Sequence, residues 1–156
     1  MGEFRHVPVM LEETLDMLNP KPSGVYVDCT LGGGGHAFAL LERTSPGGLL
    51  IGFDRDKEAI SAALKRLKPF GKRALLICDN FVNIKTALES RGIKSVDGVI
   101  FDIGVSSYQL DEVERGFTYK FNGPLDMRMS RETPITAADI VNNYSVDELA
   151  KLIKEY

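Results

Sequence analysis

The chain has 156 residues, 44% of them hydrophobic and 26% charged, with a formal net charge of −3; this suits one globular domain, or one and part of another, long enough to bury a core. It holds no run of about 18 apolar residues to span a bilayer, and Met1-Gly2-Glu3-Phe4-Arg5 offers no apolar signal core, so the expectation is a cytoplasmic protein without a membrane role. The acidic balance gives no bulk attraction for nucleic acid, and two cysteines and two histidines set far apart exclude a zinc set and a disulfide frame, leaving Cys29 and Cys78 as buried strand thiols.

In chain order, Val7-Pro8 is extended, and Val9 to Leu18 reads as a helix with Met10, Leu11, Thr14, Leu15 and Leu18 on one face. Asn19 to Gly24 is a loop carrying two prolines. Four apolar runs follow, each closing on an acid: Val25 to Asp28, Leu49 to Asp54, Ala74 to Asp79 and Gly98 to Asp102. Runs this apolar suit strands buried on both faces, as in a parallel sheet. Helical segments separate them. Ala37 to Arg43 follows the first strand. Asp56 to Leu67 follows the second, with Asp56 as N-cap and Ala59, Ile60, Ala63, Leu64 and Leu67 inward. Asn83 to Arg91 follows the third and stops at Gly92. Strand–helix alternation of this kind predicts right-handed crossovers and a doubly wound α/β sheet.

After Asp102 the texture changes. Gly104 to Arg131 is loop-rich, with charges of both signs, and Thr136 to Asn142 and Val146 to Tyr156 read as two short helices. Ser145 and Glu148 predict a capping box for the second. A boundary falls near Glu132-Thr133-Pro134, dividing 1–132 from 133–156. A four-stranded arrangement leaves Val99-Ile100-Phe101 on an open edge, which native proteins normally cover. The expectation is therefore that further sequence, or a partner, completes the sheet; self-association through that edge is one such route.

Asp28-Cys29-Thr30-Leu31-Gly32-Gly33-Gly34-Gly35-His36-Ala37 joins the first strand to its helix. Glycines let the backbone approach a ligand closely, and a helix start offers free N–H groups. Gly32, Gly34 and Ala37 satisfy the dinucleotide fingerprint, with Asp54 lying 20 residues past Gly34. The plain alternative is a glycine turn that only permits tight strand–helix packing. The position at the first strand–helix junction favours a ligand site. No Gly-Lys-Ser/Thr follows, so a P-loop is excluded.

The choice of ligand turns on charge. Asp28, Asp54, Asp79 and Asp102 all fall at the carboxyl ends of the predicted strands, the edge where open α/β sheets bind ligands. Gathered carboxylates repel one another unless something compensates. A dinucleotide brings another anion. S-adenosylmethionine brings a sulfonium, an ammonium, two ribose hydroxyls and an adenine amine, each a cation or a donor. The competing reading is that such acids only cap the helices that follow. Asp54 is best placed for the ribose hydroxyls. Phe81 suits either the adenine face or core packing. His36 reads as a backbone contact at the helix start rather than a general base or metal ligand.

These residues also carry a resemblance. His6-Val7-Pro8-Val9-Met10-Leu11-Glu12-Glu13, the glycine segment Asp28 to His36, Gly52-Phe53-Asp54-Arg55-Asp56, Asp79-Asn80-Phe81, Phe101-Asp102-Ile103-Gly104-Val105-Ser106-Ser107, Gln109-Leu110-Asp111, Glu114-Arg115-Gly116-Phe117-Thr118 and Gly123-Pro124-Leu125-Asp126-Met127-Arg128-Met129 together resemble the bacterial small-subunit ribosomal RNA cytosine-N4 methyltransferases of the RsmH (MraW) type. The resemblance runs through nearly the whole chain in order. It implies the doubly wound, Rossmann-like sheet of S-adenosylmethionine-dependent methyltransferases, strand order 3-2-1-4 with the remaining strands missing, and the start of a helical insert domain near Thr136. It implies methyl transfer to the exocyclic amine of a decoding-centre cytosine in 16S rRNA within the small ribosomal subunit. It places Gly34, Gly35, His36, Asp54, Phe81, Asp102 and Gln109 at the cofactor, Gln109 on this ground alone. Tyr108 stands where many members carry proline, and the family's late His-Ser-Leu-Glu-Asp-Arg segment is absent, so the sequence reads as the amino-terminal part of such an enzyme.

The cytosine amine is a poor nucleophile because its lone pair is delocalised, so positioning supplies much of the acceleration. Asp102 either holds an amino hydrogen or binds the cofactor's ammonium; binding is favoured and catalysis is the second role. Lys65, Arg66, Lys68, Lys72 and Arg73 read as a solvated helix end. Arg115, Lys120, Arg128 and Arg131 are candidate phosphate contacts, and Phe117, Tyr119 and Phe121 either stack an extruded base or pack under the loop. The competing functions are a cofactor- or ribosome-binding module without turnover, and an NAD-dependent enzyme on the same glycine fingerprint.

Overall fold

The computed structural model describes residues 8–156, so the extended conformation expected at Val7 and the resemblance segment beginning at His6 lie partly outside the described residues. The chain forms two compact units, one ending at Ile103 and one running from Gly104 to Tyr156. The expected boundary at 132/133 lies inside the second.

The first unit is built on four parallel strands, β1 (Val25–Asp28), β2 (Leu49–Asp54), β3 (Ala74–Cys78) and β4 (Gly98–Ile100). Their order is β3-β2-β1-β4, as expected. Val27 is in register with Ile51 on one side and Val99 on the other. The central strands are apolar throughout because both faces are covered. On one face Tyr26 and Leu50 pack under α1 (Leu11–Leu18), α2 (Gly35–Arg43) and α3 (Lys57–Leu67), through Leu15, Leu40, Leu41, Ala63 and Leu67. On the other, Val27, Ile51 and Phe53 meet Ile84 and Leu88 of α4 (Ile84–Glu89).

Local signals set the helix ends. Asp56 caps α3 by accepting from the Glu58 N–H at 2.9 Å. Past α4, the Ile93 N–H reaches back to the Leu88 carbonyl at 3.0 Å, with Gly92 at φ 70° making the turn. Replacing Asp56 by alanine should cost about 1 kcal/mol, lowering the melting temperature by about 3 °C in thermal circular dichroism.

Three expectations fail at the margins. Met10 is 63% exposed and stands in the left-handed region ahead of α1, so the helix begins at Leu11. Leu64 is 57% exposed; the inward stripe of α3 narrows to Ala63 and Leu67, with Ala59 and Ile60 half-buried. Cys78 ends β3, the outermost strand on its side, and is exposed, whereas Cys29 is buried.

The second unit carries α5 (Ser107–Asp111), α6 (Ala137–Asn143) and α7 (Val146–Glu155). The expected capping box of Ser145 and Glu148 opens α7. Thr136 and Asp139 form a second at α6, and Ser106 and Gln109 a third at α5, a helix inside the stretch read as loop. Among the described residues, no helix is long and apolar enough to cross a membrane.

Candidate functional site

Strand order reverses between β1 and β4, and in open α/β sheets the crevice at the carboxyl ends of such a pair is where ligands bind. The chain leaving β1 is tied across both neighbours. The Cys29 N–H donates to the Ile100 carbonyl of β4 and the Leu31 N–H to the Phe53 carbonyl of β2, each at 2.9 Å. Three glycines of the loop are demanded by geometry, Gly32 by its φ of 51°. Gly34 sits at φ 74° as the residue before α2, and a Cβ on Gly35 would fall 2.3 Å from Pro8 Cγ, so the amino-terminal segment packs directly on the loop.

The rim acids are fixed by backbone donors. Asp54 accepts from the Gly32 N–H and the Asp56 N–H, both at 2.8 Å. Burial raises its carboxyl above the ordinary range, and these N–H groups oppose the rise. Asp28 is 2% exposed and accepts from the Thr30 N–H at 3.1 Å. Burial, with Asp54 and Asp102 nearby, pushes its carboxyl up to about 7 against the Thr30 N–H. The Asp102 N–H donates to Thr30 Oγ1 at 2.7 Å, and its half-exposed carboxylate lies 4.0 Å from His36 Nδ1. His36 is 7% exposed, with Nε2 3.2 Å from the Val9 carbonyl, so its ring is a buried strut between the amino-terminal segment and the rim.

Asp79 departs from this set. Its carboxylate accepts from the Asn80 N–H at 2.7 Å and from Asn83 Nδ2 at 3.0 Å, while Asn80 rather than Asp79 caps the turn that follows. Three of the four rim acids therefore act on one another. Phe81 packs against the buried cluster of Val27, Cys29, Ile51 and Phe53 and also stands edge-on to Phe101, with ring centroids 5.5 Å apart. Phe101, read in the sequence as part of the open edge, is 53% exposed directly before Asp102.

Gln109 belongs to the second unit. Its Oε1 accepts from the Ser106 N–H at 3.0 Å in the capping box. The phosphate-contact expectation fails for two arginines there. Arg115 is 2% exposed and its Nη2 donates to the carbonyls of Arg128 and Met129 at 3.1 and 3.0 Å. Arg128 grips Asp126 through two bonds, at 2.9 and 2.7 Å, holding that carboxyl down to about 2. Both guanidinium groups brace the loop. Lys120 and Arg131 remain exposed, as does Tyr119.

Comparison with known proteins agrees with this architecture. The chain is 51% identical over 153 residues to the ribosomal RNA small subunit methyltransferase H of Symbiobacterium thermophilum, covering 98% of this chain and 48% of that protein. It is 50% identical over 156 residues to the protein of the same name from Geotalea daltonii, covering 100% and 50%. The chain thus spans about half the length of the curated relatives it matches. An rRNA methylase structure from Streptococcus thermophilus superposes with a TM-score of 0.52 at 20% identity, over 64% of this chain and 57% of that one, and shares the Rossmann-like methyltransferase fold. Residues 3–156 match the MraW methylase family, and it is to this family that the chain belongs.

Proposed function

We propose that this chain supplies the cofactor-binding part of an S-adenosylmethionine-dependent ribosomal RNA methyltransferase, acting in the cytoplasm on the N4 amine of a decoding-centre cytosine of 16S rRNA in the small ribosomal subunit. The observation that carries the reading is the gathering of Asp28, Asp54 and Asp102 beside a glycine loop at the switch point of the sheet. Such a rim favours a cationic ligand over an anionic one. The name shared by the relatives supports the RNA substrate, and the resemblance supports the cytosine amine. The segment from residue 133 onward is the start of a helical insert in this reading.

S-adenosylmethionine, when bound, supplies a methyl group carried on its sulfonium. The residues of this chain hold and orient it. Asp54 takes the ribose hydroxyls and Asp102 the ammonium; Gly34, Gly35 and His36 give close backbone approach, and Phe81 lies against the adenine. The resemblance also assigns Gln109 to the cofactor. Calorimetry with S-adenosylmethionine and with NAD, then methyl transfer to small-subunit particles lacking the modification, tests this. Tighter binding of NAD would overturn it, and binding without transfer would make the chain alone a binding module. Asp102→Ala should weaken S-adenosylmethionine binding by about 30-fold or more, the usual consequence of removing a charged partner. Intact binding with lost methylation would instead assign Asp102 to catalysis.

A further inference from the structure

The rim holds one neutral hydroxyl placed between two of its acids. The Thr30 backbone N–H donates to Asp28 Oδ1 at 3.1 Å, and its Oγ1 accepts the Asp102 N–H at 2.7 Å. A threonine hydroxyl has one proton and two lone pairs. The Asp102 contact occupies a lone pair and leaves the proton without an acceptor among the described residues. Thr30 is half-buried, and its bond to the Asp102 N–H places the hydroxyl at the rim.

The amino-acid end of S-adenosylmethionine is a zwitterion. Its ammonium suits a ring of carboxylates, but its own carboxylate is repelled by them and needs a donor. Charge alone would thus leave half of that zwitterion unmatched. We propose that the Thr30 hydroxyl donates to the carboxylate of the cofactor's amino-acid end while accepting the Asp102 N–H, so that Thr30 and Asp102 together select a zwitterion. This rests on the cofactor reading given above.

The test is calorimetry of the full chain and of Thr30→Val and Thr30→Ser with two ligands, S-adenosylmethionine and its decarboxylated analogue, which keeps the sulfonium, the ammonium and the adenosine. The wild type should prefer S-adenosylmethionine. Thr30→Val should weaken that ligand by about tenfold or more, the usual worth of a hydrogen bond to a charged group, and leave the analogue within about twofold. Thr30→Ser should behave as the wild type. Equal losses for both ligands in Thr30→Val would show that Thr30 acts only by placing Asp102, and would overturn the proposal, as would no loss at all. Should Thr30→Val fail to fold, the wild type alone decides: an analogue bound as tightly as S-adenosylmethionine overturns the proposal. A wild type that binds neither ligand would sink the cofactor reading itself.

Discussion

Asp28→Asn should flatten the dependence of stability on pH, raising the melting temperature near pH 8 and lowering it near pH 4. The buried Asp28 carboxyl titrates at about 7 in the folded chain, against about 4 for a free carboxylate. Below about pH 4 both states hold the proton, and no penalty arises. Between about 4 and 7 the unfolded chain releases its proton while the folded chain keeps it. Each pH unit in that window then costs about 1.4 kcal/mol, and above about 7 the cost levels off near 4 kcal/mol. Asparagine can still accept from the Thr30 N–H through its side-chain oxygen. Its new amide protons cost something on burial, about 1–3 kcal/mol if left unmatched, although Asp54 and Asp102 are acceptors close by. The net gain at pH 8 is then about 2 kcal/mol, or roughly 6 °C, and near pH 4 the amide cost stands without that offset. Denaturant titrations from pH 4 to pH 8 read this slope, and equal slopes in the two proteins would remove Asp28 from the account. The same linkage makes cofactor affinity rise with pH through about 7 in the wild type and not in the variant, if the ionised acid is what meets the cation.

Arg115→Met should unfold the second unit selectively. Among the residues of Gly104 to Tyr156 whose burial is described, only Gln109 and Arg115 are buried. That unit therefore has no apolar centre to fall back on, and small units with little buried apolar area are marginal. Arg115 holds the Arg128 and Met129 carbonyls, while its own carbonyl accepts the Met127 N–H at 3.0 Å. Gly116 beside it approaches the returning chain so closely that a Cβ there would lie 2.2 Å from the Pro124 carbonyl oxygen. Methionine fills the volume and strands both carbonyls, a loss of about 2–4 kcal/mol. Limited proteolysis with mass spectrometry should find new cleavages only beyond Ile103. Arg115→Lys, keeping the charge without the planar fork, should give an intermediate susceptibility. Protection equal to wild type in Arg115→Met would show that this side chain is not the brace.

The sheet was legible because parallel strands buried on both faces are written as unbroken apolar runs, which do not by themselves set the register of Val27 between Ile51 and Val99. Helix starts were legible where a capping residue preceded a periodic segment, as at Asp56 and Ser145. The rim was legible in part. Asp28, Asp54 and Asp102 could be placed together from strand ends alone. Asp79 sits at an equivalent end, yet Asn80 and Asn83 offer it nearer donors, a local competition that strand position does not encode. Arg115 and Arg128 misled because a cation on a loop looks the same in sequence whether it faces solvent or carbonyls brought back from further along the chain. Leu64 failed because a helix on a narrow sheet buries a thinner stripe than its apolar residues could supply.

The contact between Pro8 and Gly35 bears on how the protein should be handled. Any bulky appendage introduced at Pro8 or Val9 presses on the peptide that rests against the glycine turn, and through the Val9 carbonyl on His36. Ligand titrations run with such an appendage report on the appendage as well. Labels are better carried at Tyr156, which is almost wholly in solvent.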